Sequence, residues 1–161
     1  LLLIEAREPN WGALMRRRLS GSLGRAMDRV DFLAHQTPED FIRLIGVCDV
    51  MLDTPHFNGM NTSLEAFSTG TPVVTLPMQF QRSRHTRAMY RRMGLEACIA
   101  RDTGEYVSLA LRLGTDAYWN QHVRSEIRER SGVLYEDART VREFETCFER
   151  LVAQAQERRV G

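Results

Sequence analysis

Four short apolar runs, LLLIE at residues 1–5, VDFL at 30–33, DVMLD at 49–53 and PVVTL at 72–76, are separated by stretches of helical spacing. Runs this short and this apolar suit strands buried on both faces of a parallel sheet. Their alternation with helices selects right-handed strand–helix–strand crossovers. The predicted fold class is α/β, a parallel sheet flanked by helices, in a single domain over 1–161 that ends in helices over 117–161.

Local signals place the helices. Trp11, Leu14, Met15 and Leu19 fall on one helical face, and the Gly21-Ser22-Leu23-Gly24 segment is expected to break it. Thr37-Pro38-Glu39-Asp40 combines a capping hydroxyl, a proline at the first helical position and first-turn acids, with Phe41, Leu44, Ile45 and Cys48 inward. Residues 84–93 read as a helix and residues 97–100 as a further short strand. Asp102-Thr103-Gly104-Glu105 opens the helix carrying Tyr106, Leu109 and Leu113, and Val141, Phe144, Phe148 and Leu151 line one side of the last helix.

Composition narrows the function. A chain of 161 residues, 43% hydrophobic and 27% charged, can bury a core. Its apolar runs are too short to cross a bilayer and lack signal-peptide flanks, so a soluble, cytoplasmic setting with no membrane partner is expected. The formal net charge of +1 argues against nucleic acid as a partner, and Arg16-Arg17-Arg18 reads as a solvated helix face. Cys48, Cys98 and Cys147, odd in number and widely spaced, suggest buried thiols and no disulfide framework or metal pattern. All the side-chain cations besides histidine are arginines; the chain has no lysine.

The stretch NGMNTSLEAFSTGTPVV, residues 58–74, carries the candidate chemistry. It leaves the third strand and enters a helix, the place where ligands collect in open α/β sheets. The first turn of a helix offers unpaired N–H groups and the positive end of the macrodipole, which together suit a phosphate. Asn61, Thr62 and Ser63 add side-chain donors, and Asn58-Gly59 lets the backbone approach closely. Glu65, one turn in, is placed to accept from vicinal ribose hydroxyls. Thr62-Ser63-Leu64-Glu65 is equally a capping box, in which Thr62 and Glu65 would satisfy each other's amides and need no ligand. Spacing alone leaves both readings open.

Taken together, DVMLDTPHFNGMNTSLEAFSTGTPVVTLP, the following QFQRSRHT and AMYRRMGL, and EYVSLALRLGTD resemble the C-terminal catalytic lobe of O-linked N-acetylglucosamine transferases, glycosyltransferase family 41 with its bacterial SPINDLY-like members. The resemblance spans nearly the whole chain. It implies a GT-B architecture of two Rossmann-like lobes, of which this is the second, incomplete at its N-terminus, with the family's phosphate-binding lysine upstream of Leu1. It implies UDP or UDP-GlcNAc as partner, an acceptor protein bound through the N-terminal region, and no cofactor. Asn61 and Thr62 fall where the diphosphate is held and Glu65 where ribose is. Gln36 falls in the loop that meets uracil through its backbone, and Phe41 where a ring lies against the base, although Phe41 equally suits a helix core. Arg84 matches a family arginine, with a surface salt bridge as the plainer expectation.

Met60 and Met78 depart from the pattern, standing where bacterial relatives often have glycine, and would narrow the approach to the phosphates and stiffen the loop beside the sugar. No Asp-x-Asp motif appears, so no metal is expected. The catalytic base is expected in the N-terminal lobe. Among the histidines, His56 is the candidate for substrate contact and His35 a weaker one, while His85 and His122 read as surface or packing residues. The function expected is the UDP-sugar-binding part of an inverting transferase that glycosylates Ser and Thr hydroxyls, inactive as an isolated chain. The alternatives are a GT-B transferase or epimerase with a glycan or lipid substrate, and a non-catalytic Rossmann-like interaction module.

Overall fold

The structure, a computed structural model, describes residues 1–160; Gly161, the last residue of the expected C-terminal helices, lies outside the described residues. The chain forms two compact units, Leu1–Val47 and a second that begins at Cys48.

In the first unit, β1 (Leu2–Ile4) pairs in parallel with β2 (Asp31–Leu33), Leu2 opposite Asp31 and Ile4 opposite Leu33. Helix α1 (Pro9–Leu23) connects them, followed by a 3₁₀ segment (Gly24–Arg29). The break expected across residues 21–24 comes only at its end. Gly21 and Ser22 stay helical, Ser22 returning its hydroxyl to the Arg18 carbonyl at 3.1 Å, and the chain turns at Gly24, whose φ is 51°. Trp11, Leu14 and Met15 share a face as the spacing requires, but that face is exposed. The arginine run is solvated, with Arg16 paired to Glu5 at 2.6 Å and lying 3.9 Å over the Phe32 ring. Helix α2 (Pro38–Val47) starts as its signals dictate, the Thr37 hydroxyl accepting from the Asp40 N–H at 3.2 Å.

In the second unit, β3 (Met51–Leu52) and β4 (Val73–Val74) are parallel neighbours, joined by α3 (Asn61–Ser68). The strand expected at 97–100 shrinks to a parallel bridge of Thr75 with Ile99, closed by Thr75 N–H to Cys98 at 3.1 Å and Ala100 N–H to Thr75 at 2.8 Å. Around this sheet lie α4 (His85–Met93), α5 (Thr103–Thr115) and α6 (Ala117–Arg130). Phe67, Val73, Val74, Tyr90, Cys98, Leu113 and Ile127 are fully buried or nearly so. Phe67 meets the Tyr90 ring edge-on at 4.8 Å, and the Tyr90 hydroxyl accepts from the Val73 N–H at 2.9 Å.

The helical C-terminal stretch is not continuous. A 3₁₀ turn (Ser131–Leu134) and Glu136, at φ 52°, separate α6 from α7 (Ala138–Val160). Tyr135 in this connection donates to the Leu64 carbonyl at 2.7 Å, fastening it to α3. Val141, Phe144, Phe148 and Leu151 do line one side of α7, and all four are exposed. The expectation of three buried thiols fails: Cys98 is buried, Cys48 half-buried, and Cys147 exposed on α7. No helix among the described residues is long and apolar enough to cross a membrane.

Candidate functional site

The chain leaves β3 through Asp53 and re-enters regular structure at Asn61, and the loop between is held by buried polar groups. Asp53 is 2% exposed; its Oδ1 accepts the Gly59 N–H at 2.9 Å and its Oδ2 the Thr75 hydroxyl at 2.8 Å. The Asp53 carbonyl accepts the Tyr106 hydroxyl from α5 at 2.9 Å, and burial together with the Asp53 charge pushes the Tyr106 pKa up to about 12, so it remains a donor. Asn58 is also buried: its N–H reaches the Arg82 carbonyl at 2.8 Å and its side-chain NH₂ the Thr54 carbonyl at 3.0 Å. Its Oδ1 has no partner among the described residues.

At the start of α3 the capping box does not form. The residue preceding the helix is Met60, at φ −110° and ψ −67°, with no side-chain cap, so Thr62 is already inside the first turn and cannot act as a cap. The first helical bond from this end is Leu64 N–H to the Met60 carbonyl at 3.2 Å. Among the described residues, the N–H groups of Asn61, Thr62 and Ser63 have no acceptor. Met60 is 55% exposed and Asn61 is exposed, so the head of the turn reaches solvent.

Within this turn the side chains divide. Ser63 corrects the expectation of a third side-chain donor: it is fully buried, its hydroxyl 3.0 Å from the Gly59 carbonyl and 2.9 Å from Thr86 Oγ1, so it turns no donor outward. Thr62 is half-buried and its hydroxyl lies over Gly59, where an added Cβ would come within 2.2 Å of it. Gly59 is thus fixed by close approach. Asn61 projects to solvent, and the half-buried Glu65 makes no side-chain hydrogen bond or ion pair among the described residues. Chemically, the turn presents the N–H donors of Asn61 and Thr62 and a helix dipole, with a carboxylate one turn along. That set suits a phosphorylated ligand bearing hydroxyls.

The family model for Glycosyl transferase family 41 matches residues 2–140. The chain belongs to glycosyl transferase family 41. Among curated relatives it is similar to a UDP-N-acetylglucosamine–peptide N-acetylglucosaminyltransferase of Caenorhabditis elegans, 36% identical over 99 residues, which cover 62% of this chain and 9% of that protein. A probable SPINDLY transferase of Solanum lycopersicum is 28% identical over 78% of this chain and 14% of its own length. A solved structure of a lysine-to-methionine mutant of the Thermobaculum terrenum O-GlcNAc transferase matches with a TM-score of 0.80 and 32% identity, covering 93% of this chain and 29% of that one. The chain therefore spans a small part of the length of these relatives, and shares the α/β fold of the solved one.

The remaining candidates of this family 41 chain fall on both units. Gln36 and Phe41 belong to the first unit: the half-buried Gln36 lies between β2 and α2 with its side-chain NH₂ on the Ala34 carbonyl at 2.6 Å, and the half-buried Phe41 lies in the first turn of α2. His56 is exposed in the loop before α3, His35 is exposed and accepts from Arg7 at 3.3 Å, and His122 is exposed 3.6 Å from Glu126. Met78 is 40% exposed. Among the described residues Arg84 forms no salt bridge, contrary to the plainer expectation. Its guanidinium donates to the Met78 carbonyl at 2.8 Å and also to that of Gln79, bracing the loop after β4. Sequence reasoning missed Asp53, Thr86 and Tyr106. The acid at the end of the DVMLD run was a visible signal for Asp53, whereas nothing in the sequence brings Thr86 or Tyr106 to Gly59 and Asp53.

Proposed function

We propose that this chain is the donor-binding part of a GT-B glycosyltransferase that moves N-acetylglucosamine, or another hexose, from UDP to Ser and Thr hydroxyls of proteins. The observation that carries the reading is the open first turn of α3, whose unpartnered N–H groups follow the C-terminal end of a parallel strand in a family 41 chain. In this reading the diphosphate lies on the N–H groups of Asn61 and Thr62, with the hydroxyl of Thr62 and the amide of Asn61 beside them. The helix dipole takes part of the charge that the departing diphosphate develops. Glu65 accepts the ribose hydroxyls. Deprotonation of the acceptor is assigned to residues outside this chain.

The names of the relatives support this substrate class, since they act on UDP-N-acetylglucosamine and peptide. The test is a titration of the chain with UDP, CDP, GDP and ADP, following the amides of residues 61–65 by NMR. UDP should shift them at the lowest concentration. If none of the four nucleotides shifts them, the site assignment is wrong. The exposed apolar side of α7 favours a second role for that helix in binding a protein surface, which is compatible with the first.

A further inference from the structure

Both polar groups of the Gly59 main chain are claimed by buried side chains. The N–H donates to Asp53 Oδ1 at 2.9 Å, and the carbonyl accepts from Ser63 Oγ at 3.0 Å and, more weakly, from Thr86 Oγ1 at 3.4 Å. Gly59 also lies too close to Thr62 to carry a side chain. It is the last residue held before the N–H groups of α3 turn outward. Of its supports, Asp53 alone reaches across elements on three sides: to Gly59 in the loop, to Thr75 following β4 at 2.8 Å, and through its carbonyl to Tyr106 on α5 at 2.9 Å. Among the described residues its buried carboxyl group has no arginine or histidine partner, and its two oxygens accept one neutral donor each.

We infer that Asp53 is a positioning residue for the diphosphate: it fixes the Gly59 peptide so that the N–H groups of Asn61 and Thr62 converge on one anion. The inference rests on the proposed donor site but assigns a residue outside it. Asp53 touches no ligand. Its carboxylate faces the same helix end as the diphosphate and repels it, so the geometry it imposes and the charge it carries act in opposite directions. An asparagine would keep an acceptor for Gly59 and let the Thr75 hydroxyl turn to accept from its NH₂, removing the charge while retaining the geometry.

The experiment compares wild type, Asp53→Asn, Asp53→Ala and Asp53→Glu for binding of UDP and of uridine, with Gly59 amide exchange as an internal gauge of the support. Asp53→Ala should weaken UDP roughly tenfold, the scale of one lost charge-assisted hydrogen bond, and leave uridine unchanged. Asp53→Asn should bind UDP at least as tightly as wild type, with Gly59 still protected. Should the alanine variant fail to fold, Asp53→Glu, whose longer side chain cannot face Gly59 and Thr75 together, should give the same diphosphate-selective loss. Equal losses of UDP and uridine would mean a merely structural role. Unchanged UDP affinity in the alanine or glutamate variant, or a loss in the asparagine variant, would equally overturn the inference. Failure of wild type to bind UDP would instead remove the donor site, and is read from the wild-type titration alone.

Discussion

Ser63 and Thr86, fully buried on α3 and α4, share a hydroxyl contact of 2.9 Å and converge on the Gly59 carbonyl. The pair couples the first turn of α3 to the start of α4, so the helix that offers the N–H groups is anchored on its inner side.

A double-mutant cycle measures that anchor. Ser63→Ala removes the 3.0 Å bond to Gly59 and should cost about 1–2 kcal/mol, whereas Thr86→Val, near-isosteric and more weakly bonded to Gly59, should cost about 1 kcal/mol or less. Because the two hydroxyls share one acceptor and each other, the double variant should lose less than the sum. Urea unfolding of the four proteins gives the coupling; strict additivity would show that the two hydroxyls act independently.

Gly59→Ala tests the close approach. The new Cβ would meet Thr62 Oγ1 at 2.2 Å, and the displaced Thr62 belongs to the turn that carries the proposed site. Destabilisation of about 1–3 kcal/mol is expected, the range for overpacking. Adding Thr62→Ala, which deletes the clashing oxygen and leaves the contacts with its Cβ at 3.5 Å and with Ser63 Oγ at 3.4 Å, should recover most of that loss in a thermal melt. If the second change recovers nothing, the clash is not the reason glycine stands here.

Alkaline pH should destabilise the second unit. Burial raises the Cys98 thiol from 9.0 to about 11. The folded state thus holds the proton more tightly than the unfolded chain. Its contribution is complete below pH 9 and is lost as pH climbs through about 11, at up to about 1.4 kcal/mol per pH unit. Tyr106, pushed up to about 12, extends the loss in the same direction at higher pH. Unfolding free energies measured from pH 8 upward in wild type and Cys98→Ala should show the variant with a shallower slope between pH 9 and 11, whatever its absolute stability.

The parallel strands and the helix starts were legible because they rest on local chemistry: Thr37 caps α2, and Asp102 caps α5 by accepting the Glu105 N–H at 2.9 Å. The capping box at Thr62 satisfied the same local rules and failed, because the helix begins one residue before it, with Gly59 held by Asp53 and Thr86 from elsewhere in the fold. Burial was misjudged for Cys147, and the Trp11 face is exposed although its residues share a side as read, because periodicity tells which residues share a side and not what covers that side. The open N–H groups at Asn61 were legible as a possibility, and three-dimensional packing was needed to separate them from a self-capped turn.

Arg84 offers a test of geometry against charge. Its fork braces the loop after β4 by donating to two main-chain carbonyls, Met78 and Gln79, while the Met78 N–H is held by Ser83 Oγ at 3.1 Å. A salt bridge would tolerate lysine, whereas a planar fork spanning two carbonyls would not. Arg84→Lys should therefore behave like Arg84→Ala in amide exchange at Met78, with protection falling roughly fivefold to tenfold, the equivalent of about 1 kcal/mol, while global stability changes little because the guanidinium is exposed. Hydrogen exchange followed by NMR reads this directly. Protection in the lysine variant equal to wild type would return Arg84 to the role of a simple surface charge.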